Sequence, residues 1–207
     1  MKLQLALDRL SREECFRILE ETKASVDIIE VGTGVIKEYG MEIVRQVRAR
    51  YPDKTIVADM KTCDAGKHEA KQAFDAGADI TTVMAFSGDL TITDTLRVAK
   101  EHGSRIMIDL LEVDKAERVE ELVGLGVDLV SLHVGKDKQQ EGSFDTGLFA
   151  LVKDHDIEVT VAGGINADTL PDIIEGKPNT VIVGSAITKA KSPREAAVQL
   201  KELLSQG

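Results

Sequence analysis

The sequence predicts an α/β protein, a single (β/α)8 barrel, and three observations carry that prediction. Short apolar runs recur eight times along the 207 residues, with stretches of helical spacing between them. An acid or amide stands just ahead of every second run at nearly constant intervals. The chain has no tryptophan and only 3% aromatic residues, so its core must be built from Val, Ile, Leu and Ala, a bias that suits buried parallel strands covered by helices.

In chain order the runs are Leu3–Leu7, Val26–Val31, Thr55–Ala58, Ile80–Met84, Arg105–Ile108, Leu129–His133, Glu158–Ala162 and Thr180–Val183. Helical spacing shows in Cys15, Ile18 and Leu19, in Ile43, Val44 and Val47, in Leu96, Val98 and Ala99, and in Ala196, Ala197, Leu200, Leu203 and Leu204. Pro193 after Ser192 suits the first turn of the last helix. The intervals between Asp27, Asp79, Asp128 and Asn179 are 52, 49 and 51 residues. Each is the length of two strand-plus-helix units, and four such pairs make an eight-stranded barrel. A doubly wound open sheet competes, but the Gly-x-Gly-x-x-Gly turn expected after its first strand is replaced by Asp8-Arg9-Leu10-Ser11. No Pro- or Ser-rich linker divides the chain, so residues 1–207 read as one domain.

Composition excludes several function classes. A formal charge of −10, from 36 acidic against 26 basic residues, argues against nucleic acid as a partner, because phosphate neutralisation needs clustered Lys and Arg. No run approaches the roughly 18 to 20 apolar residues of a membrane span, and the opening Met1 to Asp8 is charged too early for a signal peptide. A cytoplasmic protein with no membrane partner is expected. Cys15 and Cys63 lack Cys-x-x-Cys spacing, which fits a reducing compartment without a disulfide scaffold or structural zinc.

In a parallel barrel the active site lies at the C-terminal ends of the strands, so the polar residues closing each run are the informative ones. Asp8 closes the first run and Glu30 the second. Asp59 and Lys61 close the third with Asp64 beyond, Asp109 closes the fifth with Glu112 following, and His133 closes the sixth. One strand-end carboxylate is more often a helix cap than a ligand, but this many on one rim, with a Lys and a His, favour a site. Converging carboxylates repel unless a cation neutralises them, and Glu30 with Asp59 is a hard-oxygen pair suited to Mg²⁺ completed by water or substrate oxygens. Strand alternation puts Lys61, two residues on, on the same face as Asp59, close enough to share the site. The last two runs end in Ala162-Gly163-Gly164 and Val183-Gly184-Ser185, where glycines let backbone N–H groups approach a phosphate. A phosphorylated substrate across a metal-carboxylate site is the expected arrangement.

Other residues read more plainly. Cys63 is expected to be a packed thiol, and His68, His102 and His155 solvent-facing helix residues. The segment Lys136 to Glu141 reads either as an exposed loop or as a place from which Lys136 reaches substrate phosphate.

Asp59-Met60-Lys61-Thr62-Cys63-Asp64 resembles the Asp-x-Lys-x-x-Asp mark of the orotidine 5′-phosphate decarboxylase superfamily, and the likeness runs end to end. Leu5 to Asp8, Val26 to Thr33 and Val161 to Ile165 look like the branch holding 3-hexulose-6-phosphate synthase and 3-keto-L-gulonate-6-phosphate decarboxylase. In that branch the strand-2 glutamate, here Glu30, joins the first motif Asp in holding Mg²⁺, where the metal-free orotidylate decarboxylases carry a lysine. Ala162, Asp109 and Lys136 stand where the branch's decarboxylase has Thr, Glu and Arg, so the resemblance leans toward the synthase. It implies condensation of formaldehyde with D-ribulose 5-phosphate through a 1,2-enediolate, with His133 moving the proton and Lys61 beside the developing oxyanion. It also implies a homodimer in which Asp64 enters the partner's active site. The decarboxylase of the branch is the alternative, and a non-catalytic sugar-phosphate-binding barrel is the alternative from another class.

Overall fold

The computed structural model describes residues 1–140 and 144–206. Glu141, the last residue of the charge-rich segment singled out above, lies outside the described residues. Eight parallel strands close into a barrel in chain order: β1 (Lys2–Leu7), β2 (Ile28–Val31), β3 (Thr55–Thr62), β4 (Ile80–Met84), β5 (Arg105–Asp109), β6 (Leu129–His133), β7 (Glu158–Ala162) and β8 (Thr180–Val183). The α-helices between them are α1 (Arg12–Thr22), α2 (Thr33–Tyr39), α3 (Met41–Arg50), α4 (Gly66–Asp75), α5 (Asp89–His102), α6 (Ala116–Gly124), α7 (Leu170–Glu175), α8 (Ser185–Thr188) and α9 (Pro193–Gln206). The predicted barrel is therefore the observed fold. No helix among the described residues is long and apolar enough to cross a membrane.

Two packed layers explain why the strands read as unbroken apolar runs. Ile28, Val57, Ile80, Met107, Leu129 and Ile182 fill the barrel interior, with Ala6 and Ala162 against them. The alternate residues, such as Leu3, Leu5, Ile29, Ile56, Val130 and Val181, pack outward on the helices. The helices carry local signals of their own. Ser11 and Glu14 form a reciprocal capping box at the start of α1, with Glu14 N–H donating to Ser11 Oγ at 3.2 Å and Ser11 N–H to Glu14 Oε2 at 2.8 Å. Ser192 Oγ accepts from Glu195 N–H ahead of Pro193, as the sequence expected.

The repeat has a structural cause at three of its four positions. Leu3 N–H donates to Asp27 Oδ2 at 2.7 Å, Ile56 N–H to Asp79 Oδ2 at 2.7 Å, and Val159 N–H to Asn179 Oδ1 at 2.8 Å. Each side chain thus holds the start of the preceding odd-numbered strand from the loop entering the next one. Asp128 differs and accepts from the Arg105 guanidinium at 3.1 Å.

Strand limits depart from the sequence reading where the chemistry sits. β2 starts at Ile28 rather than Val26 but ends at Val31 as the sequence run does, so Glu30 is its penultimate residue. β3 runs on through Asp59 and Lys61 to Thr62. Its register with β4 shifts between Ala58 and Thr62, and Lys61 adopts a left-handed backbone with φ +48°. Simple strand alternation was expected to bring Asp59 and Lys61 to one face. A bulge does so instead, re-aiming the lysine inward at the rim.

Candidate active site

The end of β3 sets the geometry. Lys61 Nζ lies 2.6 Å from Asp109 Oδ2 and 3.3 Å from Asp59 Oδ1, bridging two strand-end carboxylates. Burial alone would make the ammonium easier to deprotonate, but Asp59 and Asp109 outweigh it and hold Lys61 charged, well above the ordinary lysine range. Asp59 is gripped from both sides. Thr33 Oγ1 donates to its Oδ2 at 2.7 Å and Thr82 Oγ1 to its Oδ1 at 2.7 Å, while Thr82 Oγ1 also accepts from the Lys61 N–H at 2.9 Å. One hydroxyl therefore ties the bulged backbone to the carboxylate that the lysine faces.

Glu30 lines the same cleft from β2 and is only 8% exposed. Gln4 Nε2 donates to its Oε2 at 2.5 Å. Desolvation first, and the neighbouring Asp59 second, push the Glu30 carboxyl up to about 8, with Gln4 pulling the other way. Two desolvated carboxylates facing one space raise each other's energy, and a cation relieves that strain. Among the described residues, no three His, Cys, Asp or Glu side chains close into a metal cage. Glu30 and Asp59 offer hard oxygens on one side only, which fits a divalent cation that keeps water or takes substrate oxygens on its remaining faces.

On the opposite side, His133 Nδ1 lies 3.0 Å from both oxygens of Asp109. Burial would raise the Asp109 carboxyl, but His133 and Lys61 hold it down at about 2, so it stays an acceptor. Nδ1 must then carry the hydrogen, leaving Nε2 as the ring nitrogen available to the cleft. Sequence reasoning left this tautomer open. Asp109 lines the cleft, but its oxygens are already engaged by Lys61, His133 and the Leu111 N–H.

The cleft has a volume of about 540 Å³ and reaches from this cluster to the ends of β7 and β8. Ala162, Gly163, Gly164, Gly184, Ser185 and Lys136 all line it. Gly163 has φ +111° and Gly164 φ +68°. A Cβ on Gly163 would stand 2.2 Å from the Val134 carbonyl oxygen, so only glycine permits this turn. Lys136 is exposed, and its Nζ donates to Gln139 Oε1 at 3.1 Å. Asp8 lines the cleft too, but its Oδ1 accepts from the Gly34 N–H at 2.8 Å, holding the first turn of α2. Space for that contact depends on Gly34, whose Cβ would sit 2.6 Å from the same oxygen.

The structure thus brings together Asp8, Glu30, Asp59, Lys61, Asp109, His133 and the two glycine turns. Asp64 is exposed on the loop after β3, outside the cleft of its own chain, and Cys63 beside it is exposed rather than packed. Sequence reasoning missed Gln4, Thr33 and Thr82. Gln4 left a signal, a lone amide between Leu3 and Leu5 in a buried run. The two threonines left none, because threonine is ordinary in strands and at helix starts.

Comparison with known proteins agrees with the fold and shows the family. Residues 1–200 match the model of the orotidine 5′-phosphate decarboxylase / HUMPS family. The chain belongs to this family. A family relative, the 3-hexulose-6-phosphate synthase of Bacillus subtilis strain 168, is 37% identical over the whole of both chains. The crystal structure of 3-hexulose-6-phosphate synthase from Salmonella typhimurium superposes with a TM-score of 0.97 at 38% identity, covering 100% of this chain and 99% of that one. A second family branch is also similar. The 3-keto-L-gulonate-6-phosphate decarboxylase of Vibrio cholerae O1 gives a TM-score of 0.86 at 30% identity over 99% of this chain and 97% of that one.

Proposed function

We propose that the protein condenses formaldehyde with D-ribulose 5-phosphate to give D-arabino-3-hexulose 6-phosphate, and runs the reverse cleavage. The observation that carries this reading is the cluster of buried Glu30, Asp59 and Asp109 with half-buried Lys61 and His133, which shares one cleft with the glycine turns of β7 and β8. Whole-length similarity to proteins named 3-hexulose-6-phosphate synthase supports the substrate choice.

The backbone turns Gly163-Gly164 and Gly184-Ser185 receive the substrate phosphate, with Lys136 above them. Glu30 and Asp59 hold Mg²⁺, which when bound supplies Lewis-acid stabilisation of the ketose oxygens. His133 Nε2 removes the C1 proton. Lys61 places its charge beside the developing enediolate oxygen, already oriented by Asp59 and Asp109. The nucleophilic C1 then attacks the formaldehyde carbon, and His133 returns the proton to the new alkoxide. Asp109 holds the imidazole ring in the tautomer that both transfers need.

The decarboxylase reading rests on the similarity to the Vibrio cholerae structure. One assay separates the two. With ribulose 5-phosphate, formaldehyde and Mg²⁺, the protein is expected to consume formaldehyde. No uptake, with CO₂ released from 3-keto-L-gulonate 6-phosphate, would hand the site to the decarboxylase. Neither turnover, with sugar phosphate still bound, would make it a non-catalytic binding barrel.

We further propose a two-fold homodimer with shared sites. Phe86, on the connection from β4 into α5, is 61% exposed, and Leu90, in the first turn of α5, is 76% exposed, an unusual pair of apolar side chains to leave in water. This connection borders the loop carrying Asp64. Ser87 Oγ donates to Thr62 O at 3.2 Å, and the space beside Gly66 is closed by Thr91 and Thr95. A second copy covering the apolar pair brings Asp64 toward the partner's cleft. Mixing inactive Asp64→Ala chains with inactive His133→Asn chains should then restore about a quarter of parent turnover, since half the dimers are mixed and each has one intact site. No recovery after demonstrated subunit exchange, or an active monomer on sedimentation, would refute the shared site.

A further inference from the structure

Gln4 occupies a position where an amide is costly. Its side chain is 0% exposed, between Leu3 and Leu5 on a strand whose other residues after Lys2 are all apolar. Its Oε1 has no hydrogen-bond partner among the described residues. An unsatisfied buried carbonyl destabilises a fold, so a residue serving only to fill the barrel would be better as Leu or Met. The one bond this amide makes is to Glu30 Oε2, at 2.5 Å. The amide nitrogen must face the carboxylate, because two acceptor oxygens would repel. Glu30 Oε1 has no partner among the described residues, and Glu30 lines the cleft.

We propose that Gln4 is a positioning residue: by taking Oε2, it fixes the Glu30 carboxylate so that Oε1 is presented to the cation shared with Asp59. The proposal rests on the cation reading given above. It assigns to Gln4 the part that Thr33 and Thr82 play for Asp59, whose two oxygens they grip from neighbouring elements. Both carboxylates are thereby held in place before a cation arrives. Without Gln4, Glu30 would rotate freely about its last torsion, and each binding event would have to order it.

The test measures Mn²⁺ affinity of the full chain without substrate, by electron paramagnetic resonance or calorimetry, for the parent, Gln4→Met and Gln4→Leu. Outer hydrogen-bond partners of metal ligands typically contribute about 10- to 100-fold in affinity, and a loss in that range is expected in both variants. Melting in EDTA should change little, because removing the unsatisfied Oε1 offsets the loss of the bond to Glu30 Oε2. Thr180→Val is the control. It deletes another buried, unpartnered oxygen, on the adjoining strand β8, and should leave Mn²⁺ affinity at the parent value. Parent-like Mn²⁺ affinity in folded Gln4→Met or Gln4→Leu would overturn the proposal, as would a lower melting temperature in EDTA with affinity intact. A parent chain that binds no Mn²⁺ would instead remove the cation reading itself, and the role of Gln4 with it.

Discussion

Replacing Lys61 with Met is expected to lower turnover by about 10²- to 10³-fold, the usual cost of one preorganised charge at a developing oxyanion. The same variant should lose about 3 kcal/mol of stability, because it leaves Asp109 buried and less well paired. Asp109 is 3% exposed and its carboxyl sits at about 2 only because His133 and Lys61 outweigh burial. Adding Asp109→Asn should return most of the lost stability and none of the activity. The pH dependence follows from the same depressed carboxyl. An acid with a lowered folded-state pKa contributes stability that is present above its ordinary value of 3.8 and is lost as pH falls toward about 2. Acid destabilisation between those values should therefore be shallower in the double variant than in the parent. Melting curves across that range, beside turnover at neutral pH, decide the matter. A Lys61→Met protein as stable as the parent would contradict the ion-pair account.

His133→Asn should lower kcat by roughly 10²- to 10⁴-fold, the range for a lost general acid or base, with sugar-phosphate binding changed much less. Asp109→Asn should approach the same loss. An amide in place of the carboxylate weakens the hold on Nδ1–H and admits the tautomer that turns the wrong ring nitrogen to the cleft. If His133 were only a packed side chain, its replacement would lower the melting temperature while each folded molecule kept normal activity. That outcome would end the catalytic assignment.

Much of the fold was legible because its signals are local. Each strand of a helix-covered barrel must be apolar on both faces, so eight runs without tryptophan point to a parallel sheet before any contact is known. The roughly 50-residue repeat was legible for a similar reason. Asp27, Asp79 and Asn179 each hold the start of an odd-numbered strand, so an architectural contact left a periodic mark. Asp128 shares the spacing but not the contact.

The site was legible as a set of residue types and not as a mechanism. Glu30, Asp59, Lys61, Asp109 and His133 could be named because a parallel barrel gathers its strand ends on one rim. How they meet depended on contacts between residues 23 to 48 positions apart, which strand periodicity does not encode. Alternation along β3 predicted that Asp59 and Lys61 share a face, yet a bulge and the left-handed Lys61 backbone do that work.

Composition and periodicity alone were enough for the barrel, the acidic rim and the glycine turns, since each follows from a residue's own chemistry and its place in a short repeat. Only the folded chain decided which nitrogen of His133 faces the cleft, that Lys61 bridges two carboxylates, and that Gln4 is spent on Glu30. Those outcomes arise when distant polar groups lose water together, and each must then find its partner in the neighbour that the barrel happens to provide.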